Sequence, residues 1–319
     1  MIETIPAADA ATHRAAQPAS AAAARGRSRR GALTPYLFVG PAFALLVVFG
    51  IVPILVAAGV SVTDLDLRGL GDTDAVRFIG LDNYRRLFGD GEFWSALGNT
   101  GIFIALGVPV IIVGSLAVAI ALSQSSSRFF RLLTGFYFLP AITAIVAISL
   151  IWGYLLNGQF GLINYVLGLI GVDPVPWLSD PMMAKFSVAL VAVWRASGLN
   201  IVIFLAALQS IPKEYYEAAS LDGAGEWRKI ISVTVPLLRF AIFFVTVTTL
   251  IGWMQFFDEP YVLTRGGPTG STTSISLYIY QQGFQFNEFG FASAASLVLF
   301  VIIFAVTAIQ LRARRLSHD

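Results

Sequence analysis

The stretch Ile211 to Arg239 reads IPKEYYEAASLDGAGEWRKIISVTVPLLR, a polar passage set between two long apolar ones. Its local signals spell helix, turn, helix. Pro212 suits a first helical turn, Glu214 and Glu217 favour the N-terminal end, and Ala218 and Ala219 are strong helix formers small enough to let a partner approach closely. Asp222 and Gly223 then supply a turn, and a second short helix carries Trp227, Ile230 and Ile231 on one face until Pro236 begins the next apolar run. The expected product is an elbow that protrudes from between two apolar segments.

Working outward from the elbow, 56% of the 319 residues are hydrophobic and only 13% are charged. Soluble domains carry roughly a quarter charged residues, so a soluble fold is excluded. A helix that crosses a bilayer needs roughly 20 mainly apolar residues, and such runs fall near 36–62, 97–122, 132–156, 182–209, 237–257 and 291–312. Backbone polar groups in hydrocarbon must pair within their own segment, so these runs are predicted helices and the chain an all-α, polytopic membrane protein of about six spans. The predicted organisation is a disordered N-terminal tail over 1–33, a membrane domain over 34–315 with the elbow in a loop over 210–236, and a short C-terminal tail over 316–319. The run from Tyr36 to Val62 is far longer than the core of a cleavable signal peptide, which spans ~7 to 15 residues, and reads as a retained first span.

Charge sets the orientation. With the N-terminus in the cytoplasm, inward segments hold fourteen Lys or Arg against seven acids, and outward segments five against twelve. The positive-inside rule therefore places both termini and the elbow in the cytoplasm, and the segments 63–96, 157–181 and 258–290 outside. Trp152, Tyr154, Trp177 and Tyr261 near the outer span ends match an aromatic belt. Pro53, Pro109 and Pro140 inside the runs mark kinks or close contacts.

Catalysis finds little to work with. There are no cysteines, and His13 and His318 lie in the polar ends, so no thiolate or imidazole is available in the spans for a nucleophile, a proton relay or a metal. Neither a catalytic nor a metal-ligating set is expected. Lys185, Lys213 and Lys229 are the only lysines and none follows a phosphate-loop glycine pattern, so any ATP and Mg would be bound by another subunit. The net charge of +2 gives no sign of nucleic-acid binding.

The elbow also resembles a known family. Glu217, Ala218 and Ala219, three residues, Gly223, nine residues, then Val233, Thr234, Val235 and Pro236 resemble the EAA loop of bacterial ABC importer permeases, with valines at 233 and 235 where Ile and Leu are usual. Outside it, FIGLDNYRRLF (78–88), FWSALGNT (93–100), FGLINYVLG (160–168) and LTRGGP (263–268) resemble carbohydrate-uptake permeases of the maltose, lactose and glycerol-phosphate type, within the family of binding-protein-dependent transport inner-membrane components. The resemblance covers almost the whole chain after the tail. It implies the type I importer permease fold, a second homologous permease subunit, two ATPase subunits and an extracytoplasmic solute-binding protein. It also implies that the elbow is a coupling helix docked in an ATPase cleft, with Glu217 as a polar contact, Ala218 and Ala219 as the close-packed face, Asp222 and Gly223 as the bend, and Pro236 at the base. Asp82, Arg85 and Arg86 would help dock the binding protein.

The solute path is expected in the fourth and fifth spans. Arg195 is the deepest charge, and two readings stand: bonds to backbone carbonyls of a neighbouring helix, or contact with the solute. Thr249, Trp253 and Phe256 recur at helical spacing, and with Gln255 beside them they offer the hydroxyl, amide and aromatic faces that suit a sugar. By resemblance the path also takes in Leu199 and Asn200. An aromatic helix-packing face is the competing reading of the same residues. No Asp or Glu lies well inside a predicted span, which weakens an ion-coupled secondary carrier, and the polar fifth span weakens a membrane scaffold. A glycerol-phosphate ester in place of a sugar stays open through Arg195.

Overall fold

Asp180 and Pro181 start the helix around which the bundle packs. The Asp180 carboxylate accepts hydrogen bonds from the backbone N–H of Met182 (3.0 Å) and Met183 (2.9 Å), and Pro181 takes the first turn, where no intrahelical donor is missed. The computed structural model describes residues 29–123 and 128–316. In chain order its helices are α1 (Arg29–Leu46), α2 (Val52–Val60), α3 (Asp82–Gly89), α4 (Gly91–Ser123), α5 (Arg128–Ile142), α6 (Ile145–Leu155) and α7 (Leu162–Leu169). They continue as α8 (Pro181–Gln209), α9 (Lys213–Leu221), α10 (Glu226–Lys229), α11 (Val235–Leu237), α12 (Arg239–Met254), α13 (Ile275–Tyr280) and α14 (Phe289–Leu316). No named strand occurs among the described residues, only an isolated bridge between Thr63 and Phe78.

The chain divides by contact into two units at Leu55 and Val56. In the first, α1 runs through a π turn at Val47–Ile51 into the start of α2. The chain is already helical at Arg29, the first described residue and within the stretch expected as tail; residues 1–28, with His13, and 317–319, with His318, lie outside the described residues.

In the second unit α4 lies along α8, with α5 and α12 packed against the pair. Helix α4 has 33 residues, about 50 Å at the α-helical rise, so its ends reach well past the hydrocarbon. Two cores hold these helices together. One joins Phe103, Ile111, Val188, Ala192, Trp253 and Phe256, and the other joins Ala119, Ile201, Phe204, Leu238 and Val245. Close approach is built in at Gly198, where a Cβ would fall 2.2 Å from the Tyr137 carbonyl oxygen on α5.

Among the described residues, four helical stretches are long and apolar enough to cross a membrane: Phe38–Val60, Gly91–Ser123, Pro181–Gln209 and Phe289–Arg314. Two bent pairs bring the number to six when each is one span. The run expected as one helix over 132–156 is broken, with Gly135–Ile142 and Ile145–Leu155 meeting at 103°. Pro140 offers no amide donor there, Ala144 leaves the helical conformation (φ −55°, ψ 123°), and the Thr143 hydroxyl donates back to the Leu139 carbonyl (2.8 Å). The fifth span is likewise bent by 68° from Glu226–Leu237 at Leu238, just after Pro236.

The segment 258–290, expected as loop, is packed structure. It holds a π turn at Pro260–Thr264, α13 and a further π turn at Gln281–Gln285, and Ile275, Leu277 and Tyr278 are fully buried. Its backbone is pinned from α4: the Asn99 side-chain amide donates to the carbonyls of Gly270 and Thr273 (3.0 Å each), and Thr100 Oγ1 accepts from Ile275 N (2.9 Å).

Candidate functional site

A cavity of about 400 Å³ opens beside α5, α8 and α12. Arg195, Leu199, Asn200, Thr249, Trp253 and Phe256 all line it, so six of the seven path residues expected from sequence come together here. Gln255 does not. Helix α12 stops at Met254, and Gln255 takes the cap conformation with its side chain exposed rather than turned to the cavity.

The aromatic pair is seated by its neighbours. Trp253 and Phe256 stack at 5.0 Å between centroids, and Phe103 of α4 meets Phe256 edge-on at 5.1 Å. Room for the indole exists because residue 107 is glycine, where a Cβ would fall 1.9–2.4 Å from the Trp253 ring. Both rings are buried core residues that also line the cavity, so helix packing and cavity lining are one arrangement. Around them the polar groups are sparse. Asn200 donates to the Ala196 carbonyl (3.1 Å), and the Thr248 hydroxyl donates to the Phe244 carbonyl (2.9 Å).

Arg195 has a different partner from either reading of the sequence. Its Nε donates to Glu259 Oε1 at 2.7 Å, and the Glu259 side chain is 1% exposed against 29% for Arg195. Sequence reasoning left Glu259 in an outward loop and missed it, because it lies just past the fifth span. The available signal was chemical: an arginine deep in a span calls for a carboxylate, and Asp258 and Glu259 directly follow that span. Removing one member of such a buried pair strands the other charge, at a cost of roughly 3–5 kcal/mol.

The elbow forms as its residues dictate. Pro212 caps α9, Gly223 ends it with φ +75°, a left-handed conformation that favours glycine, and α10 follows. The Tyr216 hydroxyl meets Thr234 Oγ1 at 3.1 Å and ties α9 to the second limb. Glu217, Ala218, Asp222 and Pro236 are exposed and Ala219 is half-buried. Among the described residues Glu217 has no hydrogen-bond or ion-pair partner. The apolar side chains are uncovered as well, with Leu221 90% and Trp227 78% exposed.

In the segments 63–96 and 258–290, Arg86 bonds Glu288 (2.8 Å) and lies over the Phe291 ring (4.2 Å), while Asp82 and Arg85 form an exposed pair at 3.1 Å. The buried Tyr278 hydroxyl donates to Asp90 Oδ2, and burial together with the neighbouring carboxylate pushes its pKa up, so it stays protonated. Among the described residues no group of three or more acidic or imidazole side chains is arranged to hold a metal ion.

Comparison with known proteins agrees with this geometry. The family model described as "Binding-protein-dependent transport system inner membrane component" matches residues 116–318. The lactose transport system permease protein LacF of Rhizobium radiobacter is 37% identical over 88% of this chain and 93% of its own length. The sn-glycerol-3-phosphate transport system permease protein UgpA of Pectobacterium atrosepticum is 33% identical over 89% and 94%. In fold, the chain is similar to one from a bacterial alginate ABC transporter solved in complex with an alginate pentasaccharide-bound periplasmic protein, with a TM-score of 0.77 and 24% identity over 90% of this chain and 96% of that one.

Proposed function

The chain belongs to the family of binding-protein-dependent transport system inner membrane components, a transport permease with several membrane-crossing helices, and from that premise we propose that it imports a sugar or sugar-like solute. The observation that carries the reading is the elbow, an exposed apolar tip with an unpartnered Glu217, joined through Thr234 and the bend at Leu238 to the helix that lines the cavity. Coupling passes along this route. A separate ATPase subunit receives the tip at Glu217, Ala218, Ala219, Asp222 and Gly223, and its closure on ATP and Mg turns α9 and, through Pro236 and α12, reshapes the cavity walls.

In this reading the chain hydrolyses no ATP itself, in keeping with the lack of a phosphate loop. A second homologous permease completes the path, two ATPase subunits sit beneath, and a solute-binding protein docks on the outward loops near Asp82 and Arg85. Both termini and the elbow face the cytoplasm, as the excess of Lys and Arg in those segments supports. Relatives named for lactose and for arabinooligosaccharides support a sugar, and Trp253, Thr249 and Asn200 suit one. A glycerol-phosphate ester is the second reading, favoured by the relative named for that solute and by Arg195.

The test is purification of the tagged full chain from its native membrane, identification of the chains that accompany it, and assay of ATPase activity. A second permease and an ATPase subunit, with activity lost in the Glu217→Ala/Gly223→Pro variant, is the expected result. A chain that purifies alone and moves solute without ATP would sink the reading in favour of an ion-driven carrier.

A further inference from the structure

The cavity wall carries one charge, and the fold cancels it. Arg195 spends its Nε on Glu259, and among the described residues its two terminal nitrogens have no hydrogen-bond partner. Glu259 is buried, and its second oxygen, Oε2, has no hydrogen-bond partner either, so the carboxylate commits its charge to Arg195 alone. The pair spans 64 residues of sequence and joins α8 to the turn after α12, fixing the guanidinium plane at the cavity edge beside Asn200 and Trp253.

We infer that Arg195 and Glu259 act together as a selectivity element that presents a rigid, charge-neutral donor fork to the cavity, and that the solute it favours is an uncharged polyhydroxyl molecule. This deepens the proposed import function and rests on the cavity being the solute path. The physical grounds are two. A planar guanidinium held at Nε offers two parallel N–H donors on its far side, a spacing that suits the two oxygens of a vicinal diol. An anion at the same place would shed its hydration yet feel an arginine whose attraction the nearby carboxylate largely offsets, because both charges lie within a few ångströms in a poorly screened site. Hydroxyls give up far less hydration and gain the same bonds. Arg195 is the contact, and Glu259 is a positioning residue that also removes the net charge.

The experiment uses the full chain, purified with the subunits that accompany it and held in lipid nanodiscs without binding protein or ATP. Binding is measured for matched probes, lactose against lactobionate and glucose against glucuronate. Wild type is expected to bind the neutral member at least tenfold more tightly. In Glu259→Gln, which keeps an oxygen facing Nε, that ratio should fall at least fivefold, chiefly because the anions bind more tightly, and Glu259→Asp should restore the preference. A purely structural role for Glu259 would weaken both probes together. Because Glu259→Gln leaves a lone, half-buried arginine that works against assembly, Arg195→Gln/Glu259→Gln serves as the uncharged control, with about tenfold loss for lactose and no gain for lactobionate. No binding of either neutral probe to wild type, an anion preferred by wild type, a ratio unmoved in assembled Glu259→Gln, or unchanged lactose binding in the double variant would each overturn the inference. The ratio is read without ATP, so a chain that purifies with no ATPase counts against the import reading and leaves this one to be judged on its own.

Discussion

The loops proposed to face outward and the elbow are both short helices joined by turns, yet they dispose of their polar groups in opposite ways. In and beside those loops three buried asparagines act as staples. Asn83 donates to the Ser61 and Thr63 carbonyls, Asn99 to those of Gly270 and Thr273, and Asn164 to those of Gly158 and Val175 while accepting from Val175 N and Trp177 Nε1. At the elbow Glu217 has no such partner among the described residues and Leu221 and Trp227 stand in the open. The first region leaves apolar side chains uncovered too, Phe78 at 79% and Phe160 at 67%, so what separates the two is the polar groups: asparagines that bind the chain's own backbone in one, and an acid with no partner in the other.

Substitutions in the self-contained body should cost stability and those at the elbow should cost coupling, which gives a graded series. Gly107→Val places a side chain where the Trp253 ring lies, and unfolding of the purified protein should show a loss of about 3 kcal/mol, with the cavity distorted. Asn164→Ala strands two backbone carbonyls, an amide and an indole N–H, and should lower stability by about 2–3 kcal/mol in the same assay without altering which subunits co-purify. Tyr278→Phe removes only the bond to Asp90 and should cost about 1 kcal/mol. Trp227→Ser should leave stability within about 0.5 kcal/mol while solute-driven ATPase activity falls severalfold. A destabilised elbow variant with coupling intact would erase the distinction between the two regions.

Much of this was legible in the residues, for local reasons. The apolar runs located the spans because hydropathy acts over the length of one helix, and Pro212 and Gly223 bounded α9 because caps and left-handed turns are set by one or two residues. What escaped depends on the third dimension. The partnership of Arg195 with Glu259 joins distant positions, and the 103° break at Thr143–Ala144 needs more than the kink that Pro140 announces. Gln255 was put beside the helically spaced Thr249, Trp253 and Phe256 by its neighbours in sequence, but the helix ends at Met254 and its side chain is exposed away from the cavity lining. The outer asparagines were visible within motifs, but their role as staples requires the loops they bind.

The most direct test of the central claim exploits the lack of any cysteine in the chain. Leu221→Cys at the elbow and Phe160→Cys in a segment proposed to face outward, both at exposed positions, would each be treated with a short bifunctional maleimide in the assembled complex. The account predicts a cross-linked product containing the ATPase subunit from Leu221→Cys and none from Phe160→Cys. An intact complex that yields no such product at the elbow, or yields it from the outward position, would contradict it.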